Sequence, residues 1–145
     1  MAKLNISFEN VTGFEPVPEN VYEVVVKSID MKKPKDTTNP HPYLNTRFEI
    51  TEGEFAGRQL FVNLTTNPEK NKNGNASNSM LYSFLRACGE NVTEGQDWEG
   101  DSNELINTIL RLKVLLEDSN DPEDINPKTG ELNKVNNVRS YMSYN

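Results

Sequence analysis

Nine side chains in this sequence could together meet a chain of phosphates and flat rings: Lys32, Lys33, Lys35, Tyr43, Arg47, Arg58, Phe61, Arg111 and Lys113. Lysines and arginines neutralise phosphates and release counterions, so that binding weakens as salt rises. Exposed aromatic rings give unpaired bases a surface to stack on, worth about 1–3 kcal/mol per base. In combination these are the requirements for holding a single-stranded nucleic acid without reading its sequence. Each residue also has a plainer structural reading. Phe61 could be covered by an N-terminal arm or a helix, and Tyr43 could end a strand with its hydroxyl in water. Arg47 could pair with a carboxylate across the sheet, at little gain on a surface, and Arg58 could steady a turn. The Lys32-Lys33-Pro34-Lys35 cluster, like Lys70 and Lys72, could simply be solvated loop.

The other reactive residue types offer little chemistry. His41 is the sole histidine, set between Pro40 and Pro42, and Cys88 is the sole cysteine, so no catalytic triad and no His- or Cys-based metal set can be assembled. Cys88 follows Met80, Leu81, Phe84 and Leu85 at helical spacing and reads as a core residue. The acidic run Asp118 to Asp124 lacks the D-x-D-x-D-G register of a calcium loop. Neither a G-x-x-x-x-G-K-[ST] nor a G-x-G-x-x-G phosphate loop is present. The expectation is a non-enzymatic protein with no catalytic residue, no metal and no cofactor.

The elements that must position the nine residues follow from periodicity. Residues 1–20 form an N-terminal arm, interrupted by Pro16 and Pro18, in which Leu4, Ile6 and Phe8 alternate. Val21–Ile29 is a first strand and Met31–Pro42 a loop carrying the lysine cluster. In Tyr43–Thr51 the set Leu44, Thr46, Phe48 and Ile50 faces the interior, which turns Tyr43, Asn45, Arg47 and Glu49 outward. In Arg58–Thr65, inward Leu60, Val62 and Leu64 leave Phe61 and Asn63 outward. A helix begins at Ser79, its expected N-cap, and stops at Gly89. Leu105 and Ile106 make one short turn. Ile109–Leu116 is a fourth strand with Arg111 and Lys113 outward, and Lys134–Tyr144 a fifth, with one of Tyr141 and Tyr144 in the core. Trp98, among Gln96, Asp97, Glu99 and Asp101, is expected to pack against the strands rather than to stack on a base.

Three strands, a helix and two strands make an all-β fold class with one helix. It is the order β-β-β-α-β-β of the OB-fold, a five-stranded barrel whose second and third strands and adjoining loops carry ligands. The arm over 1–20 and an OB domain over 21–145 would complete the chain. The net charge of -7 opposes a simple nucleic-acid reading, but its distribution is uneven. Residues 26–72 hold eight basic residues against six acidic ones, whereas residues 90–131 hold twelve acidic against three basic. The acidity thus sits in two late loops, over 90–104 and 117–131. Mean hydropathy is -0.71, no apolar run is long enough to span a membrane, Met1–Phe8 has no signal-peptide pattern, and the lone cysteine suits a reducing compartment. A cytoplasmic protein without membrane contact is expected.

The segment Tyr43-Leu44-Asn45-Thr46-Arg47-Phe48-Glu49-Ile50, followed by Gly53-Glu54-Phe55-Ala56-Gly57-Arg58, resembles a pattern in bacteriophage-encoded OB-fold single-stranded-DNA-binding proteins. Leu81–Gly89 is similar to that family's helix, as is Asn136-Asn137-Val138 before an aromatic tail. The resemblance spans Val21 to Tyr144. It implies sequence-tolerant binding of single-stranded DNA in phage replication or recombination, in the host cytoplasm, with phage or host replication and recombination proteins as further partners. Oligomeric state stays open, a homo-oligomer included, as does DNA against RNA. Many such proteins end in an acidic tail, whereas this sequence ends in Tyr141-Met142-Ser143-Tyr144-Asn145. The alternative is a phage protein-interaction or structural module on an OB-like barrel, since fold does not fix function.

Overall fold

Five segments rich in β-branched and apolar residues at every second position pair into one sheet, because only pairing satisfies their backbone groups while the apolar halves are buried. The computed structural model describes residues 3–7 and 15–144. The elements are β1 (Asn20–Lys32), β2 (Tyr43–Ile50), β3 (Gln59–Thr65), the helix α1 (Ser79–Ala87), a 3₁₀ turn (Ser102–Leu105), β4 (Ile109–Asp118) and β5 (Lys134–Ser143). The sheet is antiparallel with strand order β3-β2-β1-β4-β5. The described residues are mainly β with one α-helix, as the sequence indicates.

The inward residues come from every layer. Val24, Val26, Phe48, Ile50, Leu110, Leu112 and Val114 are buried from the strands, and Phe84 and Leu85 from α1. Phe84 meets Phe48 and Tyr141 edge-on, with ring centroids 5.7 Å apart in both pairs. Of the two C-terminal tyrosines, Tyr141 is the buried one and Tyr144 is exposed. Trp98 is half-buried against the core. Its ring lies so close over Gly100 that a Cβ there would stand 2.3 Å from a ring carbon.

Several details differ from expectation. β1 runs on through Met31 and Lys32, which pair with Leu44 and Tyr43. The ladder to β2 satisfies their backbone groups whatever their side chains, so two residues expected in the loop become strand. Between Val26 and Ser28 the register shifts. This bulge leaves Lys27 exposed and brings Ile29 opposite buried Thr46, so the inward face continues past it. Ser79 is the first helical residue rather than the N-cap. The cap is Asn78, with no side-chain cap bond, and the Ser79 hydroxyl donates to the Ala76 carbonyl. The far end of α1 is a Schellman motif. Gly89 (φ +88°) donates to Arg86 and Glu90 to Leu85, both at 3.0 Å.

The N-terminal segment is partly built in. Leu4 and Ile6 are exposed, and Phe8 of the expected alternation lies outside the described residues. Val17, by contrast, is buried. Asn136 holds it from β5: its Oδ1 accepts from the Val17 amide and its Nδ2 donates to the Val17 carbonyl, both at 2.8 Å. The Tyr22 hydroxyl donates to the Pro18 carbonyl nearby.

Candidate nucleic-acid interface

Register decides which outward side chains become neighbours. Phe61 on β3 lies opposite Arg47 on β2, and Arg47 opposite Ser28 on β1. One row away, Asn63 faces Asn45, which faces Asp30; the next row is Thr65, Tyr43 and Lys32. Directly opposed residues of an antiparallel pair bring their Cβ atoms to about 4.5–5.5 Å. The outer face of β1-β2-β3 therefore gathers Lys32, Tyr43, Arg47 and Phe61 into one patch. Phe61 is 61% exposed, covered neither by α1 nor by the described residues of the N-terminal segment.

The cations of this patch differ in what they already hold. Among the described residues no carboxylate lies within ion-pair distance of Arg47; the ion pair they contain is Lys134–Asp118, far along the chain. The Nε of Arg47 is buried without a hydrogen-bond partner. A half-buried guanidinium with no internal anion is a poor structural device and a good anion receptor, because its donors are unspent. Lys32, Lys33 and Lys35 are exposed at the loop end of the β1-β2 hairpin. The loop after β3 starts at the same end, since the amide and hydroxyl of Thr66 both donate to the Pro42 carbonyl, at 3.0 and 2.7 Å. That loop is a small hairpin around Asn71–Gly74 bridged by Lys70 and Ala76, and it carries Lys72. At the opposite end of β2 and β3, Glu23, Glu49, Glu52 and Glu54 outnumber Arg58 near the turn, with the Thr51 amide bonded to the Glu23 carbonyl. The patch is thus graded from basic to acidic along the strands.

The remaining three candidates sit elsewhere. Arg58 lies just before β3, donates to the Glu15 carbonyl and stands 6.0 Å from the Phe55 ring centroid. It ties the N-terminal segment to the β2-β3 turn. Arg111 and Lys113 point outward from β4, opposite Glu23 and Val21 of β1. Arg111 stands 5.5 Å from the Tyr144 ring centroid, so β1, with Glu23, separates these two cations from the Arg47–Phe61 patch.

Burial leaves the other reactive groups idle. The Cys88 thiol is pushed up to about 12, mainly by burial and further by Glu90, which keeps it protonated and unreactive. Burial likewise raises the Tyr141 phenol, whose hydroxyl has no partner among the described residues. Those residues contain no group of three His, Cys, Asp or Glu side chains placed to hold a metal ion. No helix among them is long and apolar enough to cross a membrane.

The family described as a protein of unknown function, DUF669, matches residues 4–143. The chain belongs to this family. No curated protein matches it. The DUF669 match takes in all five strands, α1 and the Val17 anchor. Within this DUF669 chain, sequence reasoning passed over the amide row. Asn45 Nδ2 donates to Asn63 Oδ1 at 2.7 Å on the outer face, and Asn137 on β5 donates to Glu117 at 3.1 Å. The available signal was their position: polar, uncharged residues at outward places beside an outward phenylalanine.

Proposed function

We propose that this protein is an OB-type barrel that binds single-stranded DNA without sequence preference, as a non-enzymatic factor of phage replication or recombination acting in the host cytoplasm. The barrel reading is supported by the strand order and by α1, which packs on β5 and β3 at the two edges of the sheet. The observation that carries the binding reading is the pair at the centre of the β2-β3 face: an exposed Phe61 directly opposite an Arg47 without an internal anion. Bases stack on Phe61 and Tyr43, while Arg47 and the Lys32–Lys35 end take successive phosphates. Arg58 contributes by holding the Glu15 segment rather than by touching the strand.

The test is fluorescence anisotropy of labelled oligo-dT at low and moderate salt, with duplex DNA as control. Binding to oligo-dT that weakens steeply with salt, with little binding to duplex, is expected. No binding at low salt would overturn the reading and turn attention to a protein partner. For that alternative the acidic 117–131 segment is the surface to follow. It is internally ordered, with Ile125 bridged to Leu132 and Asn133 donating to Asp124 at 2.6 Å.

A further inference from the structure

β3 and β5 are the two edges of the sheet, and between them runs a groove of about 320 Å³. That is near the lower end of small-ligand sites, which span about 300–1,000 Å³. Its walls are chemically mixed. Phe61 and Asn63 come from β3, Asn137 from β5 and Met80 from α1, and the buried Leu64 and Tyr141 line it as well. Phe61 belongs both to this groove and to the outer-face patch, so a strand crossing the patch reaches the groove at that residue.

Three polar functions there are unspent. The Asn63 oxygen is taken by Asn45, which leaves the Asn63 NH₂ as a donor. The Glu117 carboxylate can only accept, so Asn137 must turn its NH₂ to Glu117 and its Oδ1 outward as an acceptor. Tyr141 is 8% exposed and its hydroxyl lacks a partner among the described residues. An unpaired buried hydroxyl is destabilising unless something meets it. One donor and one acceptor on opposite walls suit the Watson–Crick edge of any unpaired nucleobase, since that edge always carries both.

Other occupants fit less well. β3 and β5 approach within 8 Å between Cα atoms, whereas an intervening peptide strand needs about 9.5 Å between its neighbours. A phosphate would meet the Glu117 carboxylate beside Asn137. An uncharged planar base avoids both conflicts.

We propose that the β3-β5 groove accepts one base of the bound strand, with its edge between the amides of Asn63 and Asn137, one of its polar atoms on the Tyr141 hydroxyl and its ring beside Met80. This subsite rests on the single-stranded-DNA reading and extends the path from the outer face around the β3 edge. The experiment titrates the full chain and two variants, Asn137→Ala and Tyr141→Phe, with oligo-dT and with an oligomer of equal length made of abasic residues. Thermal melts run in parallel. The wild type is expected to bind oligo-dT well above the abasic oligomer. Each variant should lose about three- to tenfold in oligo-dT affinity, the loss of one hydrogen bond, with abasic binding unchanged. Tyr141→Phe should melt at the same or a higher temperature, because it removes an unpaired hydroxyl, so weaker binding cannot be a folding defect. If both variants bind oligo-dT as the wild type does, while Phe61→Ala still weakens it, the groove subsite is wrong and the face reading stands. If the wild type does not bind oligo-dT at all, both fall.

Discussion

The outer faces of β2-β3 and of β4-β5 are made from the same kinds of residue. Each offers an arginine and an aromatic ring, Arg47 with Phe61 on one and Arg111 with Tyr144 on the other. On β4 the arginine already lies over its ring, so that ring face is used inside the molecule. On β2 the arginine has a buried Nε without a partner and no ion pair among the described residues, and its neighbouring ring is open to solvent. Composition and strand periodicity treat the two faces alike. What separates them is whether the protein has already supplied each group with a partner.

Substitutions can break or sharpen this contrast. The largest effect is expected for Phe61→Ala, which removes a stacking surface and should weaken oligo-dT binding by about 5- to 150-fold, equivalent to about 1–3 kcal/mol. Its melting temperature should hardly move, because the side chain is mostly outside the core; a large fall in melting temperature with binding intact would reverse the assignment. Arg47→Ala comes next. We expect about a tenfold loss and a salt dependence shallower by about 0.7 in the slope of log affinity against log salt, the share of one phosphate on a single strand. An unchanged slope would mean that Arg47 does not meet a phosphate. Arg111→Ala should change affinity by less than about twofold, since that cation lies over the Tyr144 ring and is separated by β1 from the Arg47–Phe61 patch; a loss as large as that of Arg47→Ala would erase the distinction between the faces.

The smallest expected change is none at all, at Cys88. In the folded protein its thiol should resist alkylation at neutral pH in the wild type and in all three variants, and react only when denaturant opens the core. Mass spectrometry after iodoacetamide treatment reads this directly, and early labelling of a variant would trace its binding defect to the fold. The same group sets a pH trend. Its folded pKa stands above the ordinary thiol value, so its contribution to stability is complete below about pH 9 and is lost as pH climbs toward 12. Chemical denaturation across that interval should show the decline.

Much of this architecture can be read from the sequence. The alternation of Leu44, Thr46, Phe48 and Ile50 defines the buried face of β2, and it thereby turns Tyr43 and Arg47 outward. Gly89 marks the end of α1 for a steric reason, since its φ is positive. What escapes the sequence depends on long-range partners. The bulge after Val26 arises from pairing with β2, and no local preference in Lys27 announces it. Met31 and Lys32 look like loop because their side chains are exposed, yet their backbones are held by the hairpin. Val17 sits between two prolines in a segment that reads as an arm, and only Asn136, 119 positions later, explains its burial. For the candidate site the residue types were legible, whereas their separation into two patches followed from register and from the roles of Glu15, Glu23 and Tyr144.

The central position of β1 has a kinetic consequence. It pairs with β2 on one side and with β4 on the other, so half of its ladder comes from residues translated some ninety positions after it. Until that distant strand leaves the ribosome, the apolar β1 has an open edge, and the Val17 lock cannot close before β5 follows. A protein whose contacts span such separations folds slowly for its size, on the order of milliseconds to seconds. A nascent chain stalled short of β4 would expose a strand edge of the sort that seeds aggregation. Production of the intact molecule should therefore be more sensitive to pauses or early stops between α1 and β4 than to any single exchange on the outer face.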